Sequence, residues 1–343
     1  MAKRALITGI TGQDGSYLAE LLSGKGYEVY GFMRRTSTDP FARIEDLYTE
    51  GKIKLIYGNM RDLQTIRNAV EEVKPDEVYN LAAQSHVGVS FICPDETYDV
   101  DYKGVERILV ETFRVNQNAR FYQASTSEMF GDTPPPQKET SGFKPVSPYA
   151  EAKLKAHELI GEYRKRGSFA VSGILFNHES PRRGKHFVTR KLTHSLVKVK
   201  LGLQEVVRMG NLNATRDWGF AGDYVEAMWK MLQAEVPDDY VIATGECHTV
   251  RELASAICEE LGMPIRFKGE GLAEAGVTED GKTIIEVHEK YFRPHDVEAL
   301  CGDSSRAREA LTWCPQINFH DLVKMMVASD LKLIAGSTEH VHD

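Results

Sequence analysis

The chain opens with a short β-type run, Arg4-Ala5-Leu6-Ile7-Thr8, that breaks directly into Gly9-Ile10-Thr11-Gly12-Gln13-Asp14-Gly15. An apolar-periodic helix is expected over Tyr17–Leu22, stopping at Gly24 and Gly26. Strand, Gly-x-x-Gly-x-x-Gly and helix in that order admit few folds. Glycines let the backbone approach a pyrophosphate, and the helix start offers it free N–H groups. As a bare pattern the motif is weak, but in this context it predicts dinucleotide binding.

The second strand, Tyr27–Met33, says which dinucleotide. NAD enzymes place an acidic residue at its end to hold the ribose 2′-hydroxyl. Here the residues are Arg34-Arg35. Two guanidiniums suit a 2′-phosphate, so the expected cofactor is NADP. The plainer alternative is a basic loop at a subunit contact. Further strands are expected at Lys54–Tyr57, leading into Gly58-Asn59-Met60-Arg61-Asp62, and at Glu77–Leu81, leading into Ala82-Ala83-Gln84-Ser85-His86. A helix over Thr97–Arg114, with Val100, Val105, Ile108 and Val110 in its apolar stripe, precedes a strand that ends at Ala124. This alternation predicts an α/β fold, a doubly wound parallel sheet of Rossmann type.

After a Pro-rich loop over the site at Thr133–Pro148, a helix to Lys165 and a strand at Phe169–Phe176 are expected. Strict alternation then weakens. A helix at Val188–Lys200, a strand at Glu205–Met209 and a polar turn at Asn211–Asp217 suggest a smaller α/β C-terminal substrate lobe. Gly222–Thr244 returns to the large sheet, and Thr249 caps a helix to Leu261. Gly269–Thr283 reads as a mobile loop, and Asp303-Ser304-Ser305 as the cap of a helix to Leu311. The division expected is 1–176 with 220–245 for the nucleotide, 177–219 with 246–335 for the substrate lobe, and 336–343 as a frayed tail.

The chemistry is expected at Ser125-Thr126-Ser127-Glu128, a strand end, and at Tyr149-Ala150-Glu151-Ala152-Lys153, a helix start. Four residues apart, Tyr149 and Lys153 share one helix face about 6 Å apart along the axis. An ammonium there would pull the phenol below its ordinary pKa and fit it to accept a hydroxyl proton. Tyr-x-x-x-Lys alone is more often surface helix; here it stands with the other signals. Thr126 and Glu128 also have plainer readings, a packed strand residue and a helix-capping carboxylate.

Bulk properties exclude other classes. A net charge of -8 argues against a non-specific nucleic-acid or membrane surface. No apolar run reaches the roughly 18 residues of a membrane span, and the N-terminus lacks a signal-peptide core. A cytoplasmic protein is expected. Its five scattered cysteines suggest neither a disulfide framework nor a zinc site, and no metal is expected.

Taken together, these motifs resemble the extended short-chain dehydrogenase/reductase family and, within it, the GDP-mannose 4,6-dehydratase family. The likeness runs through Gly9–Leu18, Asn80–Val87, Ser125–Glu128 and Asn177-His178-Glu179-Ser180-Pro181-Arg182-Arg183-Gly184, then Thr189–Lys191, Arg216–Gly219, Arg293-Pro294 and Trp313-x-Pro315. It implies NADP-dependent conversion of GDP-mannose to its 4-keto-6-deoxy product. Tyr149 would take the C4 hydroxyl proton, with Thr126 on that oxygen and Lys153 on the nicotinamide ribose. Glu128 would take the C5 proton and then help expel water, because Ser127 is a poor acid.

The cofactor side, by resemblance, comprises Gly9, Thr11, Gly12, Gln13 and Asp14, with Arg34, Arg35, Asn59 and Met60. Leu81, Ala82, Ala83, Gln84, Ser85 and Val100 belong there too, as do Tyr149, Lys153, His178 and Arg183. Ser85, Ser127, Asn177, Val188, Lys191, Arg216, Arg293 and Asp296 would face the GDP-sugar. Two departures stand out: Asp296 where the family carries glutamate, and Asn59-Met60 where it carries Asp-Leu. A homodimer or homotetramer is implied. The alternatives are a dehydratase of a related GDP-sugar such as GDP-manno-heptose, an epimerase or reductase, and a non-catalytic NADP sensor.

Overall fold

Strands buried on both faces of a parallel sheet read as continuous apolar runs, and Ala5-Leu6-Ile7 is such a run, wholly buried. The computed structural model describes residues 2–291 and 297–339. Its strands are β1 (Arg4–Thr8), β2 (Glu28–Met33), β3 (Ile53–Tyr57), β4 (Glu77–Asn80), β5 (Arg120–Thr126), β6 (Phe169–Leu175), β7 (Asn177–Glu179) and β8 (Val207–Met209), then β9 (Thr215–Phe220), β10 (Asp239–Ile242), β11 (Cys247–Thr249), β12 (Ile265–Lys268), β13 (Ala275–Thr278), β14 (Thr283–Val287) and β15 (Ala299–Leu300). The α-helices are α1 (Gln13–Gly24), α2 (Glu45–Thr49), α3 (Leu63–Val73), α4 (Val87–Ser90), α5 (Pro94–Tyr98) and α6 (Gly104–Val115), then α7 (Pro148–Lys165), α8 (Val188–Lys200), α9 (Ala221–Gln233), α10 (Val250–Glu260), α11 (Ser305–Leu311) and α12 (Phe319–Glu339).

Seven parallel strands lie in the order β10-β6-β5-β4-β1-β2-β3. The order reverses between β1 and β4, which opens a crevice at their carboxyl ends. Period-2 alternation sends neighbouring side chains to opposite faces. Ala5, Ile7 and Tyr122 pack with Leu18 and Leu22 of α1 and Met228 of α9. Leu6, Val78 and Phe121 pack with Val70 of α3 and Ile108 of α6. This is the doubly wound fold expected. A second core joins Leu192 and Leu196 of α8, Trp218 of β9, Ile257 of α10, Ile285 of β14 and Val323 of α12. It is bounded by two smaller sheets, β11-β9-β15 with β7 also on β9, and β12-β13-β14-β8.

Two local expectations hold, the helix start beside Tyr149 and the Thr249 cap. The structure adds that Ser147 caps α7 through Ala150 N with Pro148 in the first turn, and that Glu252 completes a capping box with Thr249 on α10. Others need correction. The Thr97–Arg114 helix is interrupted by a π-helical turn at Asp99–Lys103, though Val100 still packs against the core that holds Val105 and Ile108. Val110 is solvent-exposed, since Ile108 and Val110 stand about 200° apart on a helix. Gly269–Thr283 is no simple loop: β13 lies within it, antiparallel to β12 and β14. The polar turn at Asn211–Asp217 gives way to β9 from Thr215.

The Pro-rich segment packs away from the crevice. Gln137 N donates to Cys301 O, and Gln137 O accepts from Asp303 N. Cys247 and Cys301 form a disulfide, where the scattered cysteines suggest no disulfide framework. Their separation of 54 residues hid the fact that β11 and β15 flank β9 on its two sides. Of the tail, α12 continues through Glu339, and residues 340–343 lie outside the described chain.

Candidate active site

The strand ends are locked together before any ligand is considered. Thr8 Oγ1 donates to Asn80 Oδ1 at 2.7 Å and accepts from Leu81 N and Ala82 N, each at 3.0 Å. That ties the Leu81–Ala82 turn after β4 to the end of β1. Gly9, at φ +70°, is where a side chain would be intolerable, because its Cβ would meet Ala82 Cα at 3.0 Å. A Cβ on Gly15 would meet Gly9 O at 2.4 Å. These two contacts let the β1–α1 turn and the α1 N-terminus approach the crevice.

Behind this turn lies a charged cluster. Asp14 Oδ2 and His178 Nε2 are 2.8 Å apart, while His178 Nδ1 lies 2.8 Å from Phe176 O. Burial lowers the His178 pKa, but Asp14 outweighs it and the net direction is upward. For Asp14, burial raises the value, and His178 reverses it to a net lowering. With acceptors at both ring nitrogens, the imidazolium is the form that fits. Gln13 seats the same corner, donating to His178 O and accepting from Ser180 Oγ. Arg183 pairs with buried Glu179 at 3.0 Å and lies over Phe187.

The residues expected to carry the chemistry sit where β5 ends and α7 begins. Thr126 Oγ1 accepts from Glu128 N at 3.3 Å, capping a single 3₁₀ turn over Ser127–Phe130. The Thr126 hydroxyl also favours the ionised form of the Tyr149 phenol, pulling its pKa down against burial. Glu128 is half-buried. Lys153, almost fully buried, donates to Ala124 O at 3.1 Å, and its Nζ lies 5.8 Å from the Tyr149 ring centre.

The expected acidification of Tyr149 does not hold. Burial first, then the Asp101 and Glu128 carboxylates, keep its pKa above the usual phenol value, against Thr126 and Arg183. Burial also lowers the Lys153 pKa. The i,i+4 rule fixed the pair's shared face but said nothing of the surrounding desolvation.

One cavity of about 1330 Å³ gathers these groups. Of the residues expected on the cofactor side, Gly9, Thr11, Gly12, Gln13, Asp14, Arg34, Asn59, Met60 and Val100 line it. Leu81, Ala82, Ala83, Gln84 and Ser85 form the turn beside Tyr149 and Lys153, with His178 and Arg183 below. Thr126, Ser127 and Glu128 lie where that wall meets Asn177, Val188, Lys191 and Arg216.

Arg35 is the exception among the described candidates. It is exposed, lining a neighbouring groove with Phe41, Tyr48 and Tyr57. Arg293 and Asp296 lie outside the described residues. Asn59 turns its Oδ1 to Arg61 N, and Met60 is buried.

Two cations at the far end, Lys191 and Arg216, suit an anionic ligand. Asn177 Oδ1, an acceptor, is buried there with no hydrogen-bond partner and suits a donor group of a ligand. Lys191 lies 3.5 Å over the Tyr291 ring and donates to Arg208 O, and burial brings its pKa down to about 8. Arg216 is held by Val297 O at 2.8 Å.

Sequence reasoning missed Arg43, which lines the cavity and donates to Thr11 O and Arg182 O. It also missed Asp101, buried behind the Gln84 turn. Nothing local marks either residue.

Comparison with known proteins agrees with this geometry. The family profile described as GDP-mannose 4,6 dehydratase matches residues 6–326. GDP-mannose 4,6 dehydratase 2 of Arabidopsis thaliana is 52% identical over 342 residues, covering 96% of this chain and 87% of that protein. GDP-mannose 4,6 dehydratase of Homo sapiens is 50% identical over 341 residues, covering 96% and 92%. Among solved structures, the UDP-glucose 4-epimerase of Thermus thermophilus in complex with NAD is similar at a TM-score of 0.80 and 25% identity, covering 95% of this chain and 98% of that one.

Proposed function

The chain belongs to the GDP-mannose 4,6-dehydratase family, and on that premise we propose how its cavity turns GDP-mannose into GDP-4-keto-6-deoxy-mannose and water. The observation that carries the proposal is the convergence of Thr126, Glu128, Tyr149 and Lys153 on one cavity whose other wall is the β1–α1 turn. NADP fits that wall. Gly9 and Gly15 leave no room for side chains, Arg34 adds positive charge, and Asp14 is offset by His178.

Bound NADP supplies hydride removal at the sugar C4 and hydride return at C6. Tyr149 Oη takes the C4 hydroxyl proton when it is in the phenolate form, which burial beside Asp101 and Glu128 makes the minor one; Thr126 shares the site of that oxygen, and Lys153 orients the ribose. The C4 carbonyl acidifies C5–H. Glu128 takes that proton and passes it to the departing C6 hydroxyl, which leaves as water. C5 then regains a proton, so the two protons released, from O4 and C5, equal the two used.

Asn177, Val188, Lys191 and Arg216 receive the GDP end, and we assign Arg293 and Asp296 to the same end. The nucleotide is held by residues 1–176 with 220–245, and the sugar by 177–219 with 246–335. We further propose a cytoplasmic homodimer or homotetramer; among the described residues no helix is long and apolar enough to cross a membrane.

The test is turnover of GDP-mannose by the NADP-loaded protein in heavy water. Deuterium at C5 of the product, with no net NADPH consumed, is expected. A product without label at C5, or stoichiometric NADPH oxidation, overturns the reading.

A further inference from the structure

We propose that Asp330, on the C-terminal helix, is a positioning residue: through Arg190 it fixes the 180–184 loop and so governs how tightly NADP and the GDP-sugar are held. Neither Asp330 nor Arg190 lines the cavity. Asp330 of α12 has no exposed surface, and Arg190 of α8 is almost as deeply buried. Asp330 Oδ1 accepts from Arg190 Nε at 3.0 Å and pairs with Nη2 at 2.7 Å, while Oδ2 accepts from Thr193 Oγ1 at 2.7 Å. Both carboxylate oxygens are thereby engaged. The guanidinium keeps a donor for another purpose: Arg190 Nη1 donates to Pro181 O.

That carbonyl belongs to the loop between β7 and α8, which a second guanidinium also holds. Arg43 Nε donates to Arg182 O, the next carbonyl along, at 2.8 Å, and Arg43 Nη1 donates to Thr11 O at 3.2 Å. Arg182 itself reaches α1, donating to Ser16 Oγ at 3.1 Å and to Glu20. Consecutive carbonyls are therefore tied to different elements, Pro181 O to α8 and α12, and Arg182 O through Arg43 to the β1–α1 turn. The next residue, Arg183, lines the cavity and pairs with Glu179 at 3.0 Å. Glu179 in turn accepts from Thr189 Oγ1, one place before Arg190. Val188 and Lys191, in the same first turn of α8, also line the cavity.

Stability alone does not account for the buried pair. Two charges taken out of water lose about as much hydration as they gain in attraction, and well-packed apolar residues of similar volume serve a core as well or better. Here α8 and α12 already share an apolar core, with Leu192 and Leu196 on one helix and Val323, Met326 and Val327 on the other. What an apolar pair lacks is direction. A planar guanidinium held by a carboxylate presents its remaining N–H groups at a fixed angle. Asp330 thus sets where Pro181 O sits, and with it Arg183 on one side and the start of α8 on the other.

This inference rests on the reading that Arg183 faces NADP and Lys191 the sugar, so Arg183→Gln is measured alongside. The main test compares the NADP-loaded wild type with the double variant Arg190→Met and Asp330→Leu. Its Tm should stay within about 4 °C of wild type, because no charge is left unpaired. NADP should nevertheless leave about tenfold faster on dilution, and KM for GDP-mannose should rise by about the same factor with kcat held. Arg190→Lys keeps the ion pair but has no fork to reach Pro181 O as well, and should show the same two changes.

NADP release and KM both at wild-type values in the folded double variant overturn the proposal. So does a loss confined to Tm and kcat, which is what a purely structural pair would give. If the double variant does not fold, Arg190→Lys replaces it with the same expectations. An Arg183→Gln protein that keeps NADP as wild type does sinks the cofactor reading of the loop. Release unchanged in the Arg190 variants but fast in Arg183→Gln sinks this inference alone.

Discussion

The two ends of the cavity are built in different ways. At the nucleotide end, each group sits at the end of a strand or the start of a helix belonging to one parallel sheet. Thr8, Gly9, Leu81, Thr126 and Tyr149 are spaced by the strand–helix period, and a backbone lattice holds them. At the sugar end, Asn177, Lys191, Arg216 and Tyr291 come from segments with no common period. Asn177 and Arg216 stand on β7 and β9 of a small mixed sheet, while Lys191 donates to Arg208 O and lies over Tyr291. The Cys247–Cys301 bond adds a covalent tie across β9. One large parallel sheet orders the first end, and a small sheet with long-range contacts orders the second. Disturbing either should produce a different failure.

The largest effect is expected at Glu128. Glu128→Gln removes the base for C5 and should lower kcat by about 10²–10⁴, with GDP-mannose affinity little changed. Deuterium uptake at C5 should be lost with it. Near-normal turnover and labelling would place the C5 base elsewhere and dissolve the division drawn here.

At the other end, Cys247→Ser should act on stability and binding. The crosslink closes a long loop, and its loss should cost about 2–4 kcal/mol, read by denaturant melts with and without a dithiol. KM for GDP-mannose should rise severalfold while kcat holds, since Arg216 loses a brace and Tyr149 does not. Thiol titration should find the pair protected until the protein is reduced. A kcat loss matching that of Glu128→Gln would show that the two ends are not separable.

The smallest effect belongs to the Asp14–His178 pair, where α1 meets β7. His178 has its pKa raised on folding, so its contribution is full below the unfolded value and is lost as pH rises through the folded one. Asp14 has its pKa lowered, so its contribution is full above the unfolded value and is lost as pH falls through the folded one. The pair is therefore strongest between about pH 4 and 6.5. His178→Gln should lower Tm by about 2–4 °C in that window. The gap should close as pH climbs well above 7, and a gap constant from pH 5 to 9 would contradict the pairing.

Much of the site was legible because its spacing is local. Tyr149 and Lys153 share a face by helix geometry alone, and Gly9 to Gly15 follow from what a turn at a strand end tolerates. Thr249 was readable as a cap. Asp101 was not, because a lone acid between Val100 and Tyr102 gives no sign that a π turn swings it inward. Arg43 looked like one more loop charge. Arg34 and Arg35 are adjacent in sequence, yet an extended backbone sends them to different surfaces.

The order of amino acids on its own determined the strand–helix alternation, the glycine turn after β1 and the shared face of Tyr149 and Lys153. Each depends on neighbours within a few residues, where backbone sterics and hydrogen bonding suffice. Only the tertiary structure decided which groups lose their water and which distant segments touch. It raised Tyr149 above its usual pKa, buried Asp101 behind it, and joined Cys247 to Cys301 across β9. Desolvation and long-range pairing depend on the whole packed chain, and no local pattern encodes them.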